Sequence, residues 1–149
     1  MKKFRFSLQK LLDIREAKET EIKHELMKVL AVQNRERMLQ EELRGKIAKY
    51  ESEYSANIKK GSFSPEEVMS VMRYINAARS AIVEAQRRID VIQPIVDEIR
   101  SRLVQASKEK KMVEKLKERK FEEYMYEFNR AIDKENDDTN QKLYQRHLM

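Results

Sequence analysis

Glu21-Ile22-Lys23-His24 is the stretch of this chain whose residue types and spacing come closest to a reactive site. On a helix, Glu-x-x-His sets a carboxylate and an imidazole on one face, as in the di-iron sites of helical bundles. Such a site also needs a second copy of the motif and two further inward carboxylates. The other histidine, His147, has Tyr144 three residues before it, and the chain has no cysteine. The ligand set is not met, and His24 reads as a surface histidine. With two glycines and no phosphate-cradling loop, neither nucleotide hydrolysis nor nucleophilic catalysis has support. The expectation is no catalytic residue, no cofactor, no metal and no enzyme.

The other chemically suggestive stretch is Lys108 to Lys120, with seven basic residues in thirteen and Phe121 and Tyr124 just beyond. Phosphates would take the charges and bases would stack on the rings if this were a nucleic-acid site. Glu109, Glu114 and Glu118 interleave with the bases, several at helical spacings of four. That is the pattern of a solvated helix face, and no nucleic-acid partner is expected.

These residues need elements to carry them, and the composition says which kind. Of 149 residues, 39% are charged, two are Gly, two are Pro and none is Trp. That profile belongs to long helices and coiled coils rather than to a globular core. By length the chain is one domain, 1–149. The formal charge of +6 is compatible with an acidic partner. The basic N-terminus, Met1-Lys2-Lys3-Phe4-Arg5-Phe6, has no apolar run behind it, so neither a signal peptide nor a membrane span is expected. A cytoplasmic protein is the simplest reading.

The strongest periodic signal runs from Ile75 to Val113. Alternating steps of three and four visit Ile75, Ala78, Ile82, Ala85, Ile89, Ile92, Val96, Ile99, Leu103, Ala106, Lys110 and Val113, of which eleven of twelve are apolar. A seven-residue repeat held this long is a coiled-coil seam. An earlier helix is expected over about 7–57. Ser7 would cap it, Phe6 would staple onto Leu11, and Leu8, Leu11, Leu12, Ile22, Leu26, Val29 and Val32 would form its apolar face. Leu39, Leu43, Ile47, Tyr50 and Tyr54 continue that face after a slip in phase between Val29 and Leu39, where Gln33 and Glu36 compete for the core.

A connection over about 58–64 ends at Ser64-Pro65-Glu66-Glu67, a strong helix start. The second helix should then run over about 65–137. Residues 138–149 should fray, because Asn136-Asp137-Asp138-Thr139-Asn140 is rich in poor helix formers. Pro94 lies on the outer face and the apolar phase passes through it intact, so a kink is expected there rather than a break. The fold class is thus all-α: two long helices in an antiparallel coiled-coil hairpin, the second helix longer. Residue i faces roughly residue 122 minus i. Everything beyond about Phe121 then outruns its partner, leaving Phe121, Tyr124, Phe128 and Ile132 on one face with only Phe4 and Phe6 to cover about one turn of it. Such a face marks a binding site.

At this point the chain resembles a known family. Phe4-Arg5-Phe6-Ser7-Leu8-Gln9-Lys10-Leu11-Leu12-Asp13-Ile14-Arg15-Glu16 looks like the opening of the FliJ family of bacterial flagellar export proteins. The run Ala106-Ser107-Lys108-Glu109-Lys110-Lys111-Met112-Val113-Glu114-Lys115-Leu116-Lys117-Glu118-Arg119-Lys120 is similar to its second motif. Tyr124 and Asn136-Asp137-Asp138 continue the pattern. Pro94 departs from it.

The resemblance implies a two-helix stalk like that of rotary ATPases, without bond chemistry of its own. Its implied partners are the hexameric flagellar export ATPase, the cytoplasmic domain of the membrane export gate and, in some members, export chaperones. Its implied place is the cytoplasmic face of the inner membrane, held there through those partners, and its implied role is in flagellum biogenesis, motility and chemotaxis. Phe4, Phe6, Leu8, Leu11, Leu116, Phe121, Tyr124, Phe128 and Ile132 would meet the ATPase. By position, Tyr50, Tyr54, Tyr74, Ala78 and Ala81 would meet the gate, with Tyr74 where the family often has Phe and Ala78 where it often has Leu. Three other readings stand beside this one: the corresponding stalk of a virulence secretion system, a basic coiled-coil nucleic-acid binder, and a homodimeric scaffold whose seam pairs between chains.

Overall fold

A computed structural model describes residues 2–61 and 64–148. Of the expected connection, Ser62 and Phe63 lie outside the described residues, as do Met1 and Met149 at the ends. Two helices account for nearly all of the described chain, α1 over Gln9–Lys60 and α2 over Pro65–Leu148. They pack against each other as a hairpin with the break just before Pro65.

The ends of the helices follow local chemistry. Ser7 does not supply the first cap. The first turn of α1 is closed by the backbone, Gln9 N donating to Phe6 O at 3.1 Å and Leu12 N to Leu8 O at 3.0 Å. At the other end Lys59 and Lys60 lie in the last turn, where the helix dipole favours cations. Gly61 follows at φ 69°, a left-handed conformation that only glycine adopts cheaply, and its N–H donates to Ile58 O at 3.1 Å. α2 opens as expected: Ser64 Oγ accepts from Glu67 N at 3.2 Å, Pro65 takes the first helical position, and Glu66 and Glu67 occupy the first turn.

α2 runs unbroken through Pro94. The proline is exposed, while Ile92 and Val96 keep their places on the inner side. Nor does α2 stop near Asp137. It continues to Leu148, through the Asn- and Asp-rich segment. Extending an existing helix costs far less than nucleating one, so weak formers at its end are carried along. Thr139 joins in by donating its hydroxyl to Glu135 O at 2.9 Å.

The chain forms two compact units, Ile22–Leu103 and a second made of Met1–Glu21 with Val104–Met149. In the first, Ile75, Ala78, Ala85, Ile89, Val96 and Ile99 of α2 are buried against α1, with Ala85 and Val96 at 0% exposure. Ile47, Ile75 and Ala78 form a cluster on which Leu43, Val71, Tyr74 and Ile82 pack. Small alanines in the seam let the helix backbones approach closely.

The α1 half of this core differs from expectation. No phase slip occurs between Val29 and Leu39. Leu39 is exposed, and the strict seven-residue series through Leu26, Gln33, Gln40 and Ile47 faces inward instead. Gln33 is 1% exposed, and its Nε2 donates to Gln93 Oε1 at 2.9 Å and to Ile89 O at 3.4 Å. Gln40, also buried, repeats the arrangement one heptad on, donating to Gln86 Oε1 at 3.0 Å and Ile82 O at 3.1 Å. In each set the α2 glutamine passes the chain outward, Gln93 to Asp97 Oδ1 and Gln86 to Asp90 Oδ1, both at 2.9 Å. A glutamine can occupy a seam because its stem fills the apolar gap while its amide is satisfied across the interface.

Candidate partner-binding surfaces

The unit formed by the chain's two ends buries Leu12, Ala106 and Val113. It also explains the seam's single charged residue. Lys110 Nζ lies 3.0 Å from Glu19 Oε1, and Ser107 Oγ donates to Glu19 Oε2 at 2.8 Å. Glu19 is itself buried. A buried carboxylate is tolerated only when paired and hydrogen-bonded, and here it is both. Arg15 Nη1 donates to Glu109 O at 2.7 Å, and Lys117 Nζ donates to Gln9 Oε1 at 2.8 Å.

The hydrogen bond from Lys110 to Glu19 holds the ammonium above the ordinary lysine range, against the opposing effect of desolvation. A group whose pKa is raised on folding contributes stability in full below its unfolded value, about 10.4 for lysine, and loses it as pH climbs through the folded value. Stability to urea should therefore show a Lys110-dependent decline only above about pH 10.4. Comparison with Glu19→Gln checks this: the alkaline decline should be shallower in the variant, and equal declines would remove Glu19 as the cause.

Beyond this pair the surface turns aromatic. The Phe4 ring meets Phe121 edge-on at 5.3 Å between centroids and Tyr124 at 5.5 Å, and Tyr124 Oη donates to Lys2 O at 2.8 Å. The N-terminal segment thus covers one side of Phe121 and Tyr124. Tyr124 stacks at 6.2 Å on Phe128, which Phe4 does not reach. Phe121 remains 46% and Ile132 40% exposed. Phe6, Leu11 and Leu116 are half-buried and Leu8 is exposed. A groove lined by Phe4, Leu12, Glu16, Glu114, Lys117, Glu118 and Phe121 includes two of the clustered rings.

The second candidate surface lies in Ile22–Leu103. Tyr50 and Tyr74 face each other across the two helices with ring centroids 4.7 Å apart. Tyr54 and Ala81 are half-buried. Ala78 is 4% exposed, within the cluster of Ile47 and Ile75, so it supports this surface from behind and is not itself available to a partner. Ile58, Met69 and Met72 are exposed apolar residues that the sequence reading passed over. Their signal was present, since they are apolar yet fall off the seam.

His24 and Glu21 are both exposed, and among the described residues no group of three or more histidine, cysteine or carboxylate side chains gathers. Among the described residues no helix is long and apolar enough to cross a membrane.

Two long helices packed against each other as a hairpin define an all-α protein of the coiled-coil type. The family described as Flagellar FliJ protein matches residues 4–148, essentially the whole chain. This chain belongs to the FliJ family and is a component of the flagellar export apparatus, a stalk protein of protein transport. No curated protein and no solved structure matches it.

Proposed function

We propose that this protein is the stalk that couples the export ATPase to the export gate, acting without chemistry of its own. Its ATPase-binding surface is Phe4, Phe6, Leu8, Leu11, Leu116, Phe121, Tyr124, Phe128 and Ile132. Its gate-binding surface is Tyr50, Tyr54, Tyr74 and Ala81, with Ala78 packed beneath. Family membership supports the partners, and one observation carries the first surface: the aromatic series of α2 outlasts its cover, because Phe4 shields Phe121 and Tyr124 while Phe128 and Ile132 continue past it. Partly covered aromatic clusters of this kind supply the anchors of protein interfaces. The site of action is the cytoplasmic face of the inner membrane.

Purified partners test the reading. The chain should raise the hydrolysis rate of its cognate export ATPase, and Tyr50→Ala with Tyr54→Ala should leave that stimulation intact. The same double variant should bind the gate's cytoplasmic domain about thirtyfold more weakly, as loss of a hot-spot aromatic pair does. Failure of the unmodified chain to stimulate would overturn the proposal, and retained gate binding by the variant would displace the second surface.

A further inference from the structure

The seven basic residues between Lys108 and Lys120 divide into two groups. Lys110, Lys117 and Lys120 are committed within the chain, to Glu19, Gln9 and Glu123. Lys108, Lys111, Lys115 and Arg119 are all exposed, and among the described residues none of them has a hydrogen-bond or ion-pair partner. At 3.6 residues per turn these four fall within one arc of about 100° on α2, running over roughly 22 Å from Val104 to Arg119. Glu109, Glu114 and Glu118 fall outside that arc. Two apolar side chains fall inside it, Val104 at 53% and Met112 at 68% exposure. Between Val104 and Arg119 the face is therefore a basic strip without acids, with two apolar residues set among the charges, and it ends at Glu122 on the same arc.

The composition of the strip selects its partner. Three of its four cations are lysines, point charges with no fixed fork, which suit a diffuse layer of negative charge better than bidentate recognition of single carboxylates. No aromatic side chain lies on the strip between Val104 and Arg119, so it has no stacking platform for single-stranded nucleic acid. Val104 and Met112 gain nothing from a phosphate backbone, whereas at a lipid surface they can enter the boundary between headgroups and acyl chains. We propose that the Lys108–Lys111–Lys115–Arg119 face of α2 binds an anionic membrane surface directly, with Val104 and Met112 inserted among the headgroups. This contact goes beyond the partner-mediated placement proposed above and does not depend on it.

Each lysine near an anionic leaflet contributes about fivefold to partitioning. The full-length protein should therefore sediment with vesicles of phosphatidylcholine mixed with phosphatidylglycerol and not with vesicles of phosphatidylcholine alone. Binding should weaken steeply with added salt. The variant Lys108→Gln, Lys111→Gln, Lys115→Gln should lose about a hundredfold in partitioning. A control removing three exposed cations elsewhere, Lys28→Gln, Arg35→Gln, Arg37→Gln, should lose little. All six positions are exposed, so far-ultraviolet circular dichroism should show both variants as helical as the parent. Equal losses in the two variants would reduce the effect to net charge and overturn the proposal, as would undiminished binding by the first. Duplex DNA bound more tightly than the anionic vesicles, and released by the same three substitutions, would assign the strip to nucleic acid instead.

Discussion

Cutting the chain after Lys120 should abolish stimulation of the export ATPase while leaving the hairpin folded. The packing of the two units supports this separation of effects. The cluster of Ile47, Ile75 and Ala78, both glutamine sets, and the Glu19–Lys110 pair all lie before the cut. What is lost is the aromatic series from Phe121 onward, together with a stretch of α2 whose residues from Asn129 to Leu148 are all exposed. Truncation also strips Phe4 of Phe121 and Tyr124, so a loosened N-terminus could mimic loss of a binding site.

The full-length variant Phe128→Asp with Ile132→Asp separates the two causes. It leaves Phe4, Phe121 and Tyr124 in place and puts charges only on the part of the stripe that Phe4 does not cover. Two anchors at about 2 kcal/mol each correspond to roughly a thousandfold loss of affinity. Phosphate release measured across a titration of the stalk reads that loss. Full stimulation by the double variant would remove the far end of the stripe from the interface.

How much of this was visible in the residues depends on which physical signal carried each part. The α2 seam was legible because hydrophobic burial writes itself as periodicity, and eleven apolar residues in register leave little choice. The start of α2 was legible because a cap, a proline and two acids each act within one turn. The α1 core was misread for the opposite reason. Its seam mixes Ile22, Leu26 and Ile47 with Glu19, Gln33 and Gln40, and a search for apolar residues alone moves onto Leu39 and infers a slip. Counting back from Ile47 in sevens would have found Gln40, Gln33, Leu26, Glu19 and Leu12. The polar members could be recognised as core only by knowing their partners, which lie some forty to ninety residues away in sequence. The binding surfaces were legible as apolar excess, and the seam already set Ala78 inside and Ala81 off it; only the match by family position put both on the gate surface.

Gln33→Leu with Gln40→Leu should make the hairpin more resistant to heat and less particular about its register. Buried, hydrogen-bonded polar groups in a coiled-coil seam cost stability relative to leucine and contribute specificity. Gain of about 2 kcal/mol from the pair would raise the thermal midpoint by about 4–8 °C for a chain of this size. The loss of specificity follows from the spacing. The two sets are identical and one heptad apart on both helices, so sliding α1 by seven residues in either sense keeps one set and strands the other glutamine in the core. A stranded buried amide costs about 1–3 kcal/mol, which penalises the slide; leucine removes that penalty. What then remains against the slide are the buried Glu19–Lys110 pair and exposed cross-helix pairs such as Arg79–Glu51 at 3.0 Å and Arg102–Glu25 at 3.0 Å, the exposed ones each worth about 0.2–1 kcal/mol. Introduced cysteines read the outcome. Leu43→Cys with Ala78→Cys should cross-link in the native register, and Leu43→Cys with Ala85→Cys only after a one-heptad slide. In the parent only the first bridge should form, and in the double-leucine background both should. A lower melting midpoint, or the first bridge alone in that background, would show that the glutamines are not what fixes the register.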